Sequence, residues 1–175
     1  MNDPIQRDQR PNPNPNPQQH ADTVPARDAG SPRDPMAAPA ANQASEAGAA
    51  GVILVAENEE NNRLLMEQIL SMAGYEYVSA SNGAEVLSLL ERYPVDVVLL
   101  DLSMPVLDGF RTTQMIRRTP KLASLPVVAV TGHASREDRE EALEAGCTDY
   151  LAKPFRTQEL VAVVQRMLAR RNGRA

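Results

Sequence analysis

From Gly51 onward, apolar and polar positions alternate between short apolar runs and longer amphipathic stretches. Residues 52–56 are an apolar run short enough for a strand buried on both faces. After it, Leu64, Leu65, Ile69, Leu70 and Met72 recur at helical spacing, and Gly74 predicts a left-handed stop. Residues 75–80 read as a second, more polar strand, and residues 84–92 as a helix begun near Ser81 or Asn82. The strongest strand signal is residues 95–100, closed by Asp101; a helix over about 109–118 follows. Residues 125–130 predict a fourth strand, closed by Thr131. Ser135 predicts the cap of a highly charged helix running to Gly146, since Asp138 stands three residues on and can reach back. Residues 150–152 are a short strand closed by Lys153, and Thr157 is expected to cap a last helix with Leu160, Val164, Met167 and Leu168 facing the core.

Five strands alternating with five helices predict an α/β domain over residues 51–175, an open, doubly wound, five-stranded parallel sheet with helices on both faces. Residues 1–50 have another character: Ile5, Val24 and Met36 are the bulky apolar side chains in a stretch rich in Pro, Asn and Ala. Such a segment buries too little area to offset backbone ordering, at roughly 1–2 kcal/mol per residue, and a disordered tail is expected. Residues 11–17 alternate Pro and Asn, which excludes helix and suits either a docking arm or a solvated extension.

The net charge of -5 and pI near 5.1 argue against nucleic acid as a partner and favour protein. A single cysteine, Cys147, excludes an intramolecular disulfide and suits a reducing compartment; it is expected to pack as a small apolar residue. No run approaches the length of a membrane span, and no secretory signal is read at the N-terminus. A cytoplasmic protein without membrane insertion is expected.

In such sheets ligands bind at the carboxyl ends of the strands, where strand order reverses. The residues closing the strands are Glu57, Asp101, Thr131 and Lys153. Singly, each would be a turn, strand or surface residue. Together they supply what phosphate transfer onto a carboxylate requires. Asp101 can be the nucleophile, Lys153 a mobile cation for one phosphoryl oxygen, and Thr131 a hydroxyl donor to another. A magnesium ion, with its preference for oxygen ligands, would bridge Asp101, the acidic cluster and the phosphoryl group.

At these residues the sequence resembles the response-regulator receiver family of two-component signalling, whose fold is flavodoxin-like. The resemblance runs over residues 52–171, through Val97-Val98-Leu99-Leu100-Asp101-Leu102-Ser103-Met104-Pro105, Asp108-Gly109, Val128-Ala129-Val130-Thr131, Ala145-Gly146 and Tyr150-Leu151-Ala152-Lys153-Pro154-Phe155. It implies that Asp101 accepts phosphate from a phosphohistidine of a histidine kinase or phosphotransfer protein. It implies that Glu57, Asp101 and the Ser103 backbone carbonyl hold Mg2+, that Thr131 and Tyr150 are the switch pair, and that the peptide before Pro154 is cis. Ser103 and His133 match positions lining the route of attacking water; His133 is equally a solvated loop residue.

One departure concerns the two adjacent acidic residues that end the family's first strand. Ungapped alignment, the preferred version, puts Ala56 and Glu57 there; the alternative puts Glu57 and Asn58 there. Either weakens the magnesium site. The expected function is a phosphorylation-controlled switch without an output domain of its own, acting on a downstream protein effector. It is not a conventional enzyme, although it would catalyse its own phosphotransfer and dephosphorylation. The alternative is a pseudo-receiver scaffold with impaired magnesium binding and no phosphorylation. A haloacid-dehalogenase-type phosphatase is disfavoured because Ser103 stands where that family needs a second Asp.

Overall fold

The computed structural model describes residues 51–132 and 135–173, so the expected disordered tail and His133 lie outside the described residues. The order of elements is β1 Val52–Ala56, α1 Glu60–Met72, β2 Glu76–Ala80, α2 Gly83–Arg92, β3 Val97–Leu100, α3 Gly109–Arg118, β4 Val127–Thr131, α4 Arg136–Glu144, β5 Asp149–Ala152 and α5 Thr157–Asn172. All strand pairs are parallel and the sheet order is β2-β1-β3-β4-β5. Strand order therefore reverses between β1 and β3, and the crevice beyond their carboxyl ends is where a ligand is expected.

Both faces of the sheet are buried, which explains why the central strands read as unbroken apolar runs. Ile53, Val55, Val97, Leu99, Val128 and Val130 pack against Met66, Ile69 and Leu70 of α1 and Leu160, Val164 and Met167 of α5. The alternate residues Leu54, Ala56, Val98, Leu100, Val127 and Ala129 face Val86 and Leu90 of α2, Ile116 of α3 and Ala142 of α4. Period-two alternation thus assigns each strand residue to one layer or the other.

Helix ends follow the side chains available. Asn82 caps α2 by accepting from Glu85 N at 3.0 Å, and Asp108 caps α3 by accepting from Arg111 N at 2.8 Å. Ser135 and Asp138 form the reciprocal capping box expected from their spacing. Gly74, with φ 82°, holds the left-handed turn after α1.

Three details differ from the sequence reading. Thr157 is the first helical residue of α5 rather than its cap; Arg156 is the cap, its N–H bonded to Glu159 Oε2 at 2.7 Å. In α1 the buried stripe is Met66, Ile69 and Leu70, while Leu64, Leu65 and Met72 are exposed; apolar spacing alone could not tell which side faced the sheet. β3 begins at Val97, because Asp96 turns its carboxylate to accept from Val52 N at 2.8 Å and so serves the neighbouring strand.

Candidate functional site

The sheet ladder continues one residue beyond the strands and fixes the backbone of each candidate. Asp101 N–H donates to Ala56 O at 2.9 Å, Glu57 N–H to Ala80 O at 3.0 Å and Lys153 N–H to Thr131 O at 2.8 Å. These bonds carry Glu57, Asp101, Thr131 and Lys153 to one edge of the sheet, on either side of the strand-order reversal.

Three of the four meet through side chains. Lys153 Nζ donates to Asp101 Oδ2 at 2.7 Å and also to Glu57 Oε2. The remaining carboxylate oxygens are held by backbone: Asp101 Oδ1 accepts from Ser103 N at 2.9 Å and Glu57 Oε1 from Glu59 N at 3.0 Å. Glu57 is 1% exposed and Asp101 7%. A pair of carboxylates at that burial calls for a cation beside it, and Lys153 supplies it. Burial alone pulls the Lys153 ammonium down, but the hydrogen bonds and charges of Asp101 and Glu57 more than offset it and hold its pKa above the ordinary lysine value. Thr131 is buried at the end of β4, where its carbonyl accepts from Lys153 N–H.

The segment after β3 is shaped around Asp101. A Cβ on Gly109 would lie 2.4 Å from Asp101 O, so only glycine allows the start of α3 to pack beneath that residue. Gly109 N–H donates to Leu102 O at 3.1 Å, closing the loop. Within it Val106 is 87% exposed and has φ 67°, a conformation that β-branched residues rarely adopt. The Lys153-Pro154 peptide is cis, as the resemblance implied.

The first-strand departure can be located from the alternation of the strand. Ala56 is the last residue of β1, fully buried and facing the apolar layer of Leu100 and Leu102. Glu57 is the first residue beyond the strand, and Asn58 after it is exposed. Glu57 and Asn58 are thus the two residues just beyond the strand end, whereas a carboxylate at 56 would enter the core. Two further contacts carried no sequence signal: Arg63 Nη1 donates to Glu57 O at 3.1 Å, and the Glu57–Lys153 pair joins residues far apart in the chain.

Tyr150 lies on β5, half-buried against the layer of α2, α3 and α4; burial first and the charge of Asp138 second push its phenol above the ordinary range. Among the described residues no cluster of three or more His, Cys, Asp or Glu could hold a metal. Glu57 and Asp101 nonetheless already share one cation, and magnesium commonly takes one or two carboxylates and keeps waters. The donor set fits a sparse, water-rich magnesium site.

A family model for the response regulator receiver domain matches residues 53–165, and the chain belongs to that family. Among solved structures it is similar to the receiver domain of sensor histidine kinase PA1611 from Pseudomonas aeruginosa PAO1, at 36% identity and a TM-score of 0.64, covering 68% of this chain and 98% of that one. That structure is described with a magnesium ion coordinated in its active site cleft. The chain is also similar to the chemotaxis response regulator CheY4 of Vibrio cholerae, at 30% identity and a TM-score of 0.64, over 67% of this chain and 98% of that one. The transcriptional regulatory protein GltR of Pseudomonas aeruginosa is 36% identical over 118 residues, 67% of this chain and 49% of GltR. The chain spans about half the length of the transcriptional regulators it matches. Receiver domains act in signalling with histidine kinases or phosphotransfer proteins and are not conventional enzymes. No helix among the described residues is long and apolar enough to cross a membrane.

Proposed function

We propose that this receiver domain is a phosphorylation-controlled switch in which Asp101 accepts a phosphoryl group from a phosphohistidine of a histidine kinase or phosphotransfer protein. The observation that carries it is the single ammonium of Lys153 held by Asp101 and Glu57 at the reversal of strand order. In the transfer an Asp101 carboxylate oxygen attacks phosphorus, the P–N bond breaks, and the electron pair stays on the imidazole, which takes up a proton. Lys153 is placed to move its charge from the carboxylate to a phosphoryl oxygen, since an ammonium on a flexible stem can follow the charge as it spreads. Thr131, one strand away, is suited to donate its hydroxyl to a second oxygen. Glu57, Asp101 and the Ser103 carbonyl would hold a magnesium ion, whose contribution is to neutralise charge on the phosphoryl group. Phosphorylation would draw Thr131 toward the site and Tyr150 inward, changing the face offered to a downstream protein effector. The same site, with water as the nucleophile, would return the switch to rest.

The test is labelling by acetyl phosphate in magnesium. A mass gain of one phosphoryl group on the wild-type chain, absent in Asp101→Asn, is expected; an unlabelled wild type beside a labelled ordinary receiver domain overturns the reading. One observation favours a second reading: the rim position after Glu57 is Asn58, so a carboxylate is lacking. On that reading the domain is a pseudo-receiver scaffold that neither binds magnesium nor takes phosphate. Failure of millimolar magnesium to move the amide signals of Glu57 and Asp101 would support it.

A further inference from the structure

A polar cavity of about 360 Å³ opens at the other edge of the sheet. Its lining includes Gly146, Cys147 and Thr148 just before β5, Arg117 near the end of α3, and Arg170 and Arg171 near the end of α5. β4 runs five residues from this edge to Thr131, so about 13 Å of strand separates the cavity from the Asp101 edge.

Three arginines line the cavity, and no Asp or Glu is among the described residues that line it. Arg171 is paired with Asp96 and also donates to Val95 O at 2.8 Å. Arg117 has neutral partners: Nε donates to Gly146 O at 2.8 Å, Nη1 to Leu125 O at 2.8 Å and Ala123 O at 3.3 Å, and Nη2 to Thr148 Oγ1 at 3.2 Å. Of its five N–H protons these bonds use four, leaving one on Nη2. Burial pulls this guanidinium below its ordinary range, and the influence opposing that comes from the Cys147 thiol rather than from a carboxylate. Arg170 is exposed. Helix carboxyl ends attract cations, which accounts for an arginine at each of α3 and α5, but not for their opening onto one concave space without an acidic side chain.

We propose that this cavity binds the phosphate group of a small phosphate monoester. Guanidinium forks match phosphate oxygens in pairs, and the Nη2 proton of Arg117 and the exposed fork of Arg170 supply donors for one dianion. The volume exceeds what a bare phosphate fills and falls at the small end of ordinary ligand sites. The inference does not depend on phosphorylation of Asp101.

The experiment follows backbone amide signals of the full chain while inorganic phosphate, adenosine monophosphate and adenosine are titrated separately at low salt. Adenosine monophosphate is expected to shift Gly146, Cys147 and Thr148 saturably and more tightly than phosphate, with adenosine inert. Arg170→Ala, at an exposed position, is expected to weaken those shifts about tenfold while leaving shifts at Ser103 and Lys153 unchanged. A bare-phosphate response as tight as that of the monoester would overturn the assignment to an ester. Absence of any response at Gly146 to Thr148, or a response unchanged in Arg170→Ala, would overturn the site altogether.

Discussion

Replacing Lys153 with alanine removes the cation that Glu57 and Asp101 share. The two oxygens bonded to one nitrogen are no more than roughly 5 Å apart, and at an effective dielectric of about 20 two unit charges at that separation repel by about 3 kcal/mol. Side-chain exposures of 1% for Glu57, 9% for Asp101 and 17% for Lys153 leave little room for water to replace the ammonium. The expected loss is therefore about 3 kcal/mol at neutral pH, at the lower end of what breaking a buried pair from one side costs. With a urea slope of about 1.5 kcal/mol per molar, the unfolding midpoint should fall by about 2 M. Urea titrations of both proteins at pH 8 measure this. Millimolar magnesium should narrow the gap, by binding the folded variant more tightly than the wild type, in which the ammonium competes for the same oxygens. A variant as stable as the wild type at pH 8 without magnesium would refute the claim that Lys153 neutralises this pair.

Asn58→Asp restores a second carboxylate at the rim and should tighten magnesium binding about tenfold by calorimetric titration, equivalent to about 1.4 kcal/mol; unchanged affinity would show that Asn58 does not face the metal. Val106→Gly should raise stability by about 1 kcal/mol, since relief of backbone strain worth about 1–3 kcal/mol exceeds the glycine entropy cost of about 0.5–1 kcal/mol and the exposed side chain packs on little; a lower urea midpoint would contradict this. Gly109→Ala forces a methyl against Asp101 O and should slow acetyl-phosphate labelling by more than about tenfold, as misplacement of a reacting group does. Because the folded pKa of Lys153 lies above its unfolded value of about 10.5, its contribution is complete below that pH and disappears as pH rises through the folded value. The stabilities of wild type and Lys153→Ala should therefore draw together as pH rises through that folded value in urea titrations.

Sheet class, helix count and the strand-closing residues were legible because alternation and short apolar runs determine layers directly, and because residues that close neighbouring parallel strands must share an edge. α1 was harder to orient: its apolar residues cover more than one side, and only packing against β1 and β3 separates Met66 from Leu65. Thr157 looked like a cap by residue type, but Arg156 N–H found its acceptor in Glu159, so the helix began one position later than the cap and not at it. Contacts between distant segments, such as Glu57 with Lys153 or Arg63 with the carbonyl of Glu57, leave no periodic trace in a sequence. Ungapped spacing says nothing about which side of a strand a residue faces; the structure adds that Ala56 is buried beside Leu100 while Glu57 and Asn58 lie beyond the strand end.

The identity of the rim residues bears on how the proposed switch would rest. With Glu57 and Asp101 negative and Lys153 positive, the three groups sum to one negative charge, whereas a further carboxylate at 58 would make it two. The extra negative charge would favour a divalent ion over a single ammonium, and Asn58 withholds it. Glu57, one methylene longer than Asp, reaches Lys153 while its other oxygen remains bonded to Glu59 N–H. The resting site is thus half neutralised by its own side chain, and an incoming magnesium must displace part of that pairing. On the proposed function, phosphorylation should therefore require more magnesium in this domain than in Asn58→Asp, and the difference should shrink in Glu57→Asp, whose shorter arm gives up the grip on Lys153. Equal magnesium dependence in all three proteins would mean that the Glu57–Lys153 pair has no part in setting the resting state.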